Sequence, residues 1–208
     1  MKLSSISTPL GVRSKLACAA AVALTALTIS AGSAQACSYT GAKQVFAPWG
    51  DSKHYALAPD GGFEAAASGW SLTRGAATVA GNESYYLNNA ADSRSLALPP
   101  GSSAGSPPIC MSLDTPIFRM MARNSGDPSS RLRVEAVYKL LGLVRTKTVS
   151  NVVAGPNWTP TQQMSTVLTL STIIGTLIPS AIQIRITPLD SKGKWQVDDL
   201  YIDPYARR

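Results

Sequence analysis

The chain has 208 residues but a single histidine, His54, and only 12 acidic residues. One histidine rules out His-based triads unless His54 itself serves, and no serine sits in a G-x-S-x-G elbow. Catalytic zinc held by two or three histidines is excluded by the same count. Gly61-Gly62 has no Lys-Ser/Thr sequel, so no phosphate-cradling loop is present. Basic residues are scattered, as at Arg119, Arg123, Arg131, Arg133 and Arg145. They make no run of five, which leaves a nucleic-acid surface unsupported. No repeat and no low-complexity linker divides the chain, and past residue 36 no apolar run is long enough to span a bilayer.

The first segment has Lys2, Arg13 and Lys15 and no acid, then an apolar run from Leu16 to Ser30. Small residues follow and end in Ala34-Gln35-Ala36, an A-x-A cleavage pattern. The run is shorter than the roughly 20 residues a spanning helix needs. Residues 1–36 are therefore expected to be a secretory leader and residues 37–208 a single mature domain, secreted and extracellular. A retained anchor, or a lipid on Cys37, is the alternative. A lipoprotein site normally has Leu where Ala34 stands. Cleavage would leave 16 basic against 12 acidic residues, a net charge of +4. That mild excess suits anionic cell-wall polymers and equally suits ordinary solubility.

Cysteine is also scarce. Cys18 lies in the leader, so Cys37 and Cys110 are the mature pair. In an oxidising compartment thiols pair, and no C-x-x-C spacing offers a metal site instead. Closing so long a loop contributes about 4–5 kcal/mol in the chain-entropy account.

Strand signals dominate the mature part. Leu132, Val134, Ala136 and Tyr138 alternate with polar neighbours, and Ile182, Ile184 and Ile186 do the same, the period of a half-buried strand. Shorter strands are expected at 77–79, 95–98, 117–123, 143–149 and 195–202. Turn formers separate them, such as Pro59-Asp60-Gly61-Gly62 and Asn124-Ser125-Gly126-Asp127-Pro128. Many short strands without helical patterns argue an all-β fold, an antiparallel sandwich or a barrel, rather than α/β. The stretch 161–178 reads as strand, short helix or both.

Asp198, Asp199 and Asp203 crowd the last strand. Adjacent residues point to opposite faces, so one of Asp198 and Asp199 faces the interior or its rim. A carboxylate there is costly unless an arginine or a cation meets it. Calcium suits such a place, because it takes oxygen ligands from separate segments. The competing account is a pair of solvated charges on an edge strand.

Asp60-Gly61-Gly62-Phe63-Glu64, followed by Gly69-Trp70, resembles the N-terminal motif of galactose-binding-like jelly-roll domains. Carbohydrate-binding modules of xylanases and related glycosidases are the best known of these. Val197-Asp198-Asp199-Leu200 is similar to their last strand. The resemblance implies a jelly roll and a structural Ca2+ held by Glu64 with Asp198 or Asp199. The mature chain is also similar to a group of secreted actinobacterial proteins. The shared features are Phe46-Ala47-Pro48-Trp49-Gly50-Asp51, Phe63-Glu64, Ser106-Pro107-Pro108-Ile109-Cys110 and Asp203-Pro204-Tyr205; this likeness lends no activity.

In the modules, aromatic rings on a concave face or in loops contact the sugar. The candidates here are Trp49, Tyr85, Tyr86 and Trp158, the last equally readable as the lead-in to a buried strand, while Trp70 and Trp195 sit in strand-like settings and are expected in the core. If 81–86 is a strand, only one of Tyr85 and Tyr86 faces outward. The leading expectation is a secreted, non-catalytic monomer that binds polysaccharide or another cell-envelope component. It has no nucleic-acid partner and no membrane contact beyond export. A small lyase or glycosidase using Glu64 and Asp199 as paired carboxylates is the alternative. A structural surface protein is the third reading.

Overall fold

The computed structural model describes residues 39–110, 117–140, 142–166 and 181–205. The early strands there are Ala56–Leu57 (β1), Ser71–Thr73 (β2), Ala77–Ala80 (β3), Arg94–Leu98 (β4), Ser103–Gly105 (β5) and Ile109–Cys110 (β6). Next come Ile117–Asn124 (β7), Leu132–Leu140 (β8), Leu143–Val152 (β9), Thr159–Pro160 (β10) and Met164–Ser165 (β11). Ala181–Pro188 (β12) and Trp195–Asp203 (β13) close the order. The chain divides into residues 1–34 and 35–208. The expected leader, residues 1–36, and its cleavage site lie outside the described residues.

Two antiparallel sheets face each other. The first runs β10-β7-β13-β4-β3, with β1 also on β13 and β11 also on β7. The second runs β2-β5-β12-β8-β9, with β6 also on β12. This is an all-β antiparallel sandwich, one of the two architectures the alternating pattern predicts and the one the resemblance implies. Ile182, Ile184 and Ile186 of β12 lie opposite Tyr138, Ala136 and Val134 of β8. The three isoleucines point inward, where Leu96, Leu98, Phe118, Met120, Trp195 and Val197 of the first sheet meet them. Truncating a fully buried Ile184 to alanine costs about 2–5 kcal/mol on the usual core scale. Trp70 and Trp195 are core, as expected. Their indole N–H groups donate to the Asp60 carbonyl at 3.1 Å and the Ser130 hydroxyl at 2.9 Å.

The strap 43–57 covers part of the first sheet's outer face. Lys43 and Tyr55 exchange backbone hydrogen bonds at 2.9 and 2.8 Å. Between them Ala47–Trp49 makes one 3-10 turn, closed by Gly50 at φ 78°. Phe46 and Tyr55 are wholly buried and join Met121, Trp158 and Tyr201 in a second apolar cluster. Asp51 completes the attachment, accepting from Arg119 at 2.7 Å, Tyr55 at 2.7 Å and Gln163 at 3.0 Å. The shared Phe46-to-Asp51 motif is thus the clasp that holds the strap down.

Cys110 ends β6 as a bonded half-cystine. Its expected partner, Cys37, lies outside the described residues. Two positions further on, the Tyr39 hydroxyl donates to the Cys110 carbonyl at 2.7 Å, which brings this end of the chain to β6. Mass spectrometry of the unreduced, secreted protein is expected to show residues 37 and 110 in one linked peptide. A free thiol at Cys110 would contradict the pairing.

Candidate functional site

β13 is a central strand, between β7 and β4, so its carboxylates cannot be edge charges. Trp195, Val197, Leu200 and Ile202 face the core, and Gln196, Asp198 and Tyr201 face outward. A bulge between Asp198 and Tyr201 sets two residues, Asp199 and Leu200, against Met120. It turns Asp199 to φ 48°, an uncommon conformation for a non-glycine residue. The Asp60-Gly61-Gly62-Phe63 loop docks on this bulge. The Leu200 amide donates to the Gly61 carbonyl at 3.0 Å, and the Ala58 amide to the Leu200 carbonyl at 2.8 Å. A Cβ on Gly61 would stand 2.6 Å from the Leu200 carbonyl, and one on Gly62 would stand 3.3 Å from Asp199 Oδ1. The two glycines are there because strand and loop touch backbone to backbone.

Asp198 and Asp199 are both 0% exposed, and they differ in how they are met. Asp198 accepts from the Glu83 and Asp199 amides, each at 2.9 Å. Neither carboxylate oxygen of Asp199 accepts a hydrogen bond of good geometry, although the Asn88 amide lies close enough to ease its charge slightly. Burial raises the Asp199 carboxyl well above the usual range, and the nearby charges of Glu83, Asp92 and Glu64 raise it further. Burial likewise raises Asp198, with Asp199 as its nearest like charge. Glu64 reaches the same end of the sandwich, where it accepts from the Ser93 amide at 2.9 Å and the Arg94 amide at 2.7 Å. Two arginines that could have met such acids are engaged elsewhere: Arg119 binds Asp51, and Arg185 binds Glu135 at 2.9 Å.

Among the described residues no three His, Cys, Asp or Glu side chains are arranged to hold a metal ion by themselves. The chemistry of the place nonetheless fits a hard cation. An unpartnered buried carboxylate costs several kcal/mol, and calcium accepts backbone carbonyls and water beside a few carboxylates. Asp199 supplies the free oxygens. Asp92 stands close by, its Oδ2 3.9 Å from where a Gly62 Cβ would lie. Sequence reasoning named Glu64, Asp198 and Asp199 but missed Glu83 and Asp92. The only signal for them was two acids within a turn-rich stretch.

The loop 81–92 ties this acidic end to the outer face of the sheet. Glu83 is buried, and its carboxylate accepts from the Tyr85 and Leu87 amides, both at 2.6 Å. The intervening residues are forced outward. Tyr85 and Tyr86 are 51% and 52% exposed, and Tyr86 sits at φ 53°. The segment is a loop rather than a strand, so both rings reach solvent, contrary to the alternation expected of one inward and one outward. Half-buried Trp49 packs edge-on against Tyr85, centroids 4.8 Å apart. Trp158 differs from its expected role: it is buried, with the Arg123 guanidinium 4.9 Å over its ring. His54 is exposed.

Beside the aromatic group, one row of residues crosses the sheet. Arg123 lies opposite Gln196, Gln196 opposite Ala97, and Ala97 opposite Ala77. A depression of about 410 Å³ opens there, floored by Ala77, Val79 and Ala97 and edged by Gln196 and Lys194.

No known family model matches the chain. No curated protein sequence matches it either. Solved structures that it resembles include carbohydrate-binding modules. The xylan-binding CBM22-1 domain of Paenibacillus barcinonensis Xyn10C is 10% identical, covering 67% of this chain and 88% of its own, with a TM-score of 0.47. The C-terminal family 22 module of Clostridium thermocellum Xyn10B is 16% identical, covering 68% and 88%, with a TM-score of 0.46. TmCBM61, solved with β-1,4-galactotriose, is 12% identical, covering 70% and 96%, with a TM-score of 0.44.

Proposed function

We propose that the mature chain is an exported, non-catalytic glycan-binding domain whose contact surface is the outer face of the first sheet. One observation carries this reading. Tyr85 and Tyr86 are held half-exposed on a loop whose own carboxylate, Glu83, is spent on fixing their backbone. Large apolar rings held in solvent at a strained φ are a cost that a contact surface explains. A paired-carboxylate enzyme needs its acids to meet a substrate. Asp199 is 0% exposed, and Glu64 is occupied by two backbone amides, which favours binding over catalysis. The reading includes a structural hard cation at Asp199 beneath the loop. It also includes export, as the leader pattern predicts.

The test is a glycan array probed with the secreted protein, followed by titration calorimetry, with xylohexaose and β-1,4-galactotriose among the ligands. Tyr85→Ala and Tyr86→Ala are expected to weaken binding of whichever glycan is retained by roughly tenfold or more, about 1.4 kcal/mol, while thermal stability stays within a few degrees. Retention unchanged in the double variant would move the contact surface elsewhere. No retention of any glycan would end the reading.

A further inference from the structure

We propose that the outer face reads the carboxylate of an acidic sugar, a uronate, through Arg123. This rests on the glycan-binding reading and adds the class of sugar. The other arginines that reach an acid are neutralised by it: Arg119 by Asp51, and Arg133 and Arg185 by Glu135. Arg123 is different. Its Nε donates to Gln196 Oε1 at 2.5 Å, and its guanidinium lies over the Trp158 ring. Among the described residues it makes no ion pair, and its two Nη groups make no hydrogen bond.

A guanidinium stacked on a ring and pinned by one side chain has already lost its rotamer freedom. Its free edge is then a planar fork, matched to a carboxylate. The ring beneath favours the cation as well. Arg123 is only partly exposed, so part of its own hydration is already gone. The surroundings are one-signed. Gln196 leads from Arg123 into the depression, whose only charged lining side chain among the described residues is Lys194. The nearest outward acid on β13, Asp198, is 0% exposed beneath the 81–92 loop. An anionic group on this face therefore meets two cations, and no acid lines the depression. The row from Arg123 through Gln196 and Ala97 to Ala77 crosses four strands, roughly 14 Å at the usual strand spacing, with Trp158 beside its first member. That length suits an extended oligosaccharide better than a single carboxylate ion.

The experiment is affinity electrophoresis of the intact secreted protein in gels containing polygalacturonate, alginate, hyaluronate or glucuronoxylan. Each polymer is run beside its carboxyl-reduced counterpart, which keeps the linkages and loses the charge. At least one uronate polymer is expected to retain the protein, with at least tenfold weaker retention on its reduced form. Arg123→Gln is expected to remove that preference, and Arg123→Lys to restore only part of it, because lysine has no fork. A melting curve for each variant separates loss of binding from loss of fold, and Lys194→Gln, at an exposed position, supplies a second variant. Equal retention on native and reduced polymers would overturn the uronate assignment while leaving glycan binding intact. Equal retention on a glycerol-phosphate polymer would mean response to net charge alone and would also overturn it. Retention on no polymer of either form, together with a blank glycan array, would remove both.

Discussion

Calcium is expected to raise the melting temperature of the secreted protein by about 5–10 °C, and EDTA to take that gain away. The estimate follows from mass action: a cation at 100 times its dissociation constant adds about 2.7 kcal/mol to a native state that alone binds it. In a domain this size each kcal/mol moves the midpoint by about 2–4 °C. Asp199→Asn separates an ion site from a merely protonated acid. The amide keeps the shape and removes the unpartnered charge. With a cation at this place, the substitution abolishes the calcium response and the EDTA effect together. Without one, the variant is the more stable protein in every buffer, because it relieves a buried carboxylate that nothing meets. Wild-type melting that ignores both calcium and EDTA would remove the ion from the account.

The same carboxylates set a pH dependence with a definite sign. Burial, reinforced by the charges of Glu83 and Asp92 at Asp199 and of Asp199 at Asp198, pushes Asp199 to about 7 and Asp198 to about 9, far above the ordinary value of 3.8. Between about pH 4 and 9 the cation-free native state thus holds protons that the unfolded chain has already released. Stability falls with pH wherever the native state binds more protons. In EDTA the midpoint is therefore expected to drop as pH rises from about 5 to 9. Calcium competes with those protons, so its stabilisation grows over the same window. A flat midpoint in EDTA would show that these acids do not carry raised values.

The long strands were legible from residue alternation because their burial is one-sided or central and their length exceeds a turn. β8, β12 and β13 show it, each starting and ending within about two residues of the sequence pattern. β1, β2, β5, β6, β10 and β11 have only two or three residues, too few for a period of two to declare itself. The acids of β13 were legible as out of place, since a carboxylate between apolar neighbours conflicts with burial. What meets them was not. Glu83 approaches Asp198 from 115 residues away, and no local pattern announces a loop folded over a sheet. Tyr85 and Tyr86 were found as aromatics, but their shared exposure follows from the Glu83 side chain bonding the amides of residues 85 and 87. Arg123 looked like one scattered base among several. Only the fold separates it from Arg119, four residues earlier on the same strand face, which is consumed by an acid.

That consumed arginine gives the second large expectation: Asp51→Ala should lower the melting temperature by on the order of 10 °C. Burial alone would raise the Asp51 carboxyl, but Tyr55, Gln163, Arg119 and the Lys53 amide together hold it at about 2. The pair is deeply placed, with both side chains less than a tenth exposed and the Arg119 guanidinium 4.6 Å over the Phe46 ring. Removing the acid leaves a buried cation whose remaining partners are the Thr161 carbonyl and that ring. Breaking one half of such a pair costs about 3–5 kcal/mol, whereas exchanging both halves for apolar residues of similar volume is often neutral. Asp51→Leu combined with Arg119→Met is therefore expected to recover most of what Asp51→Ala loses. The pH sign is opposite to that of β13: a lowered carboxyl gives stability that is present above about pH 4 and is lost as pH falls toward 2. Limited proteolysis places the damage. With the clasp undone, cleavage is expected first within the strap 43–57, while the sheets that bury Ile184 and Trp195 stay resistant. Equal loss of strap and sheets, with no recovery in the double variant, would mean that Asp51 supports the whole sandwich rather than the cover over its outer face.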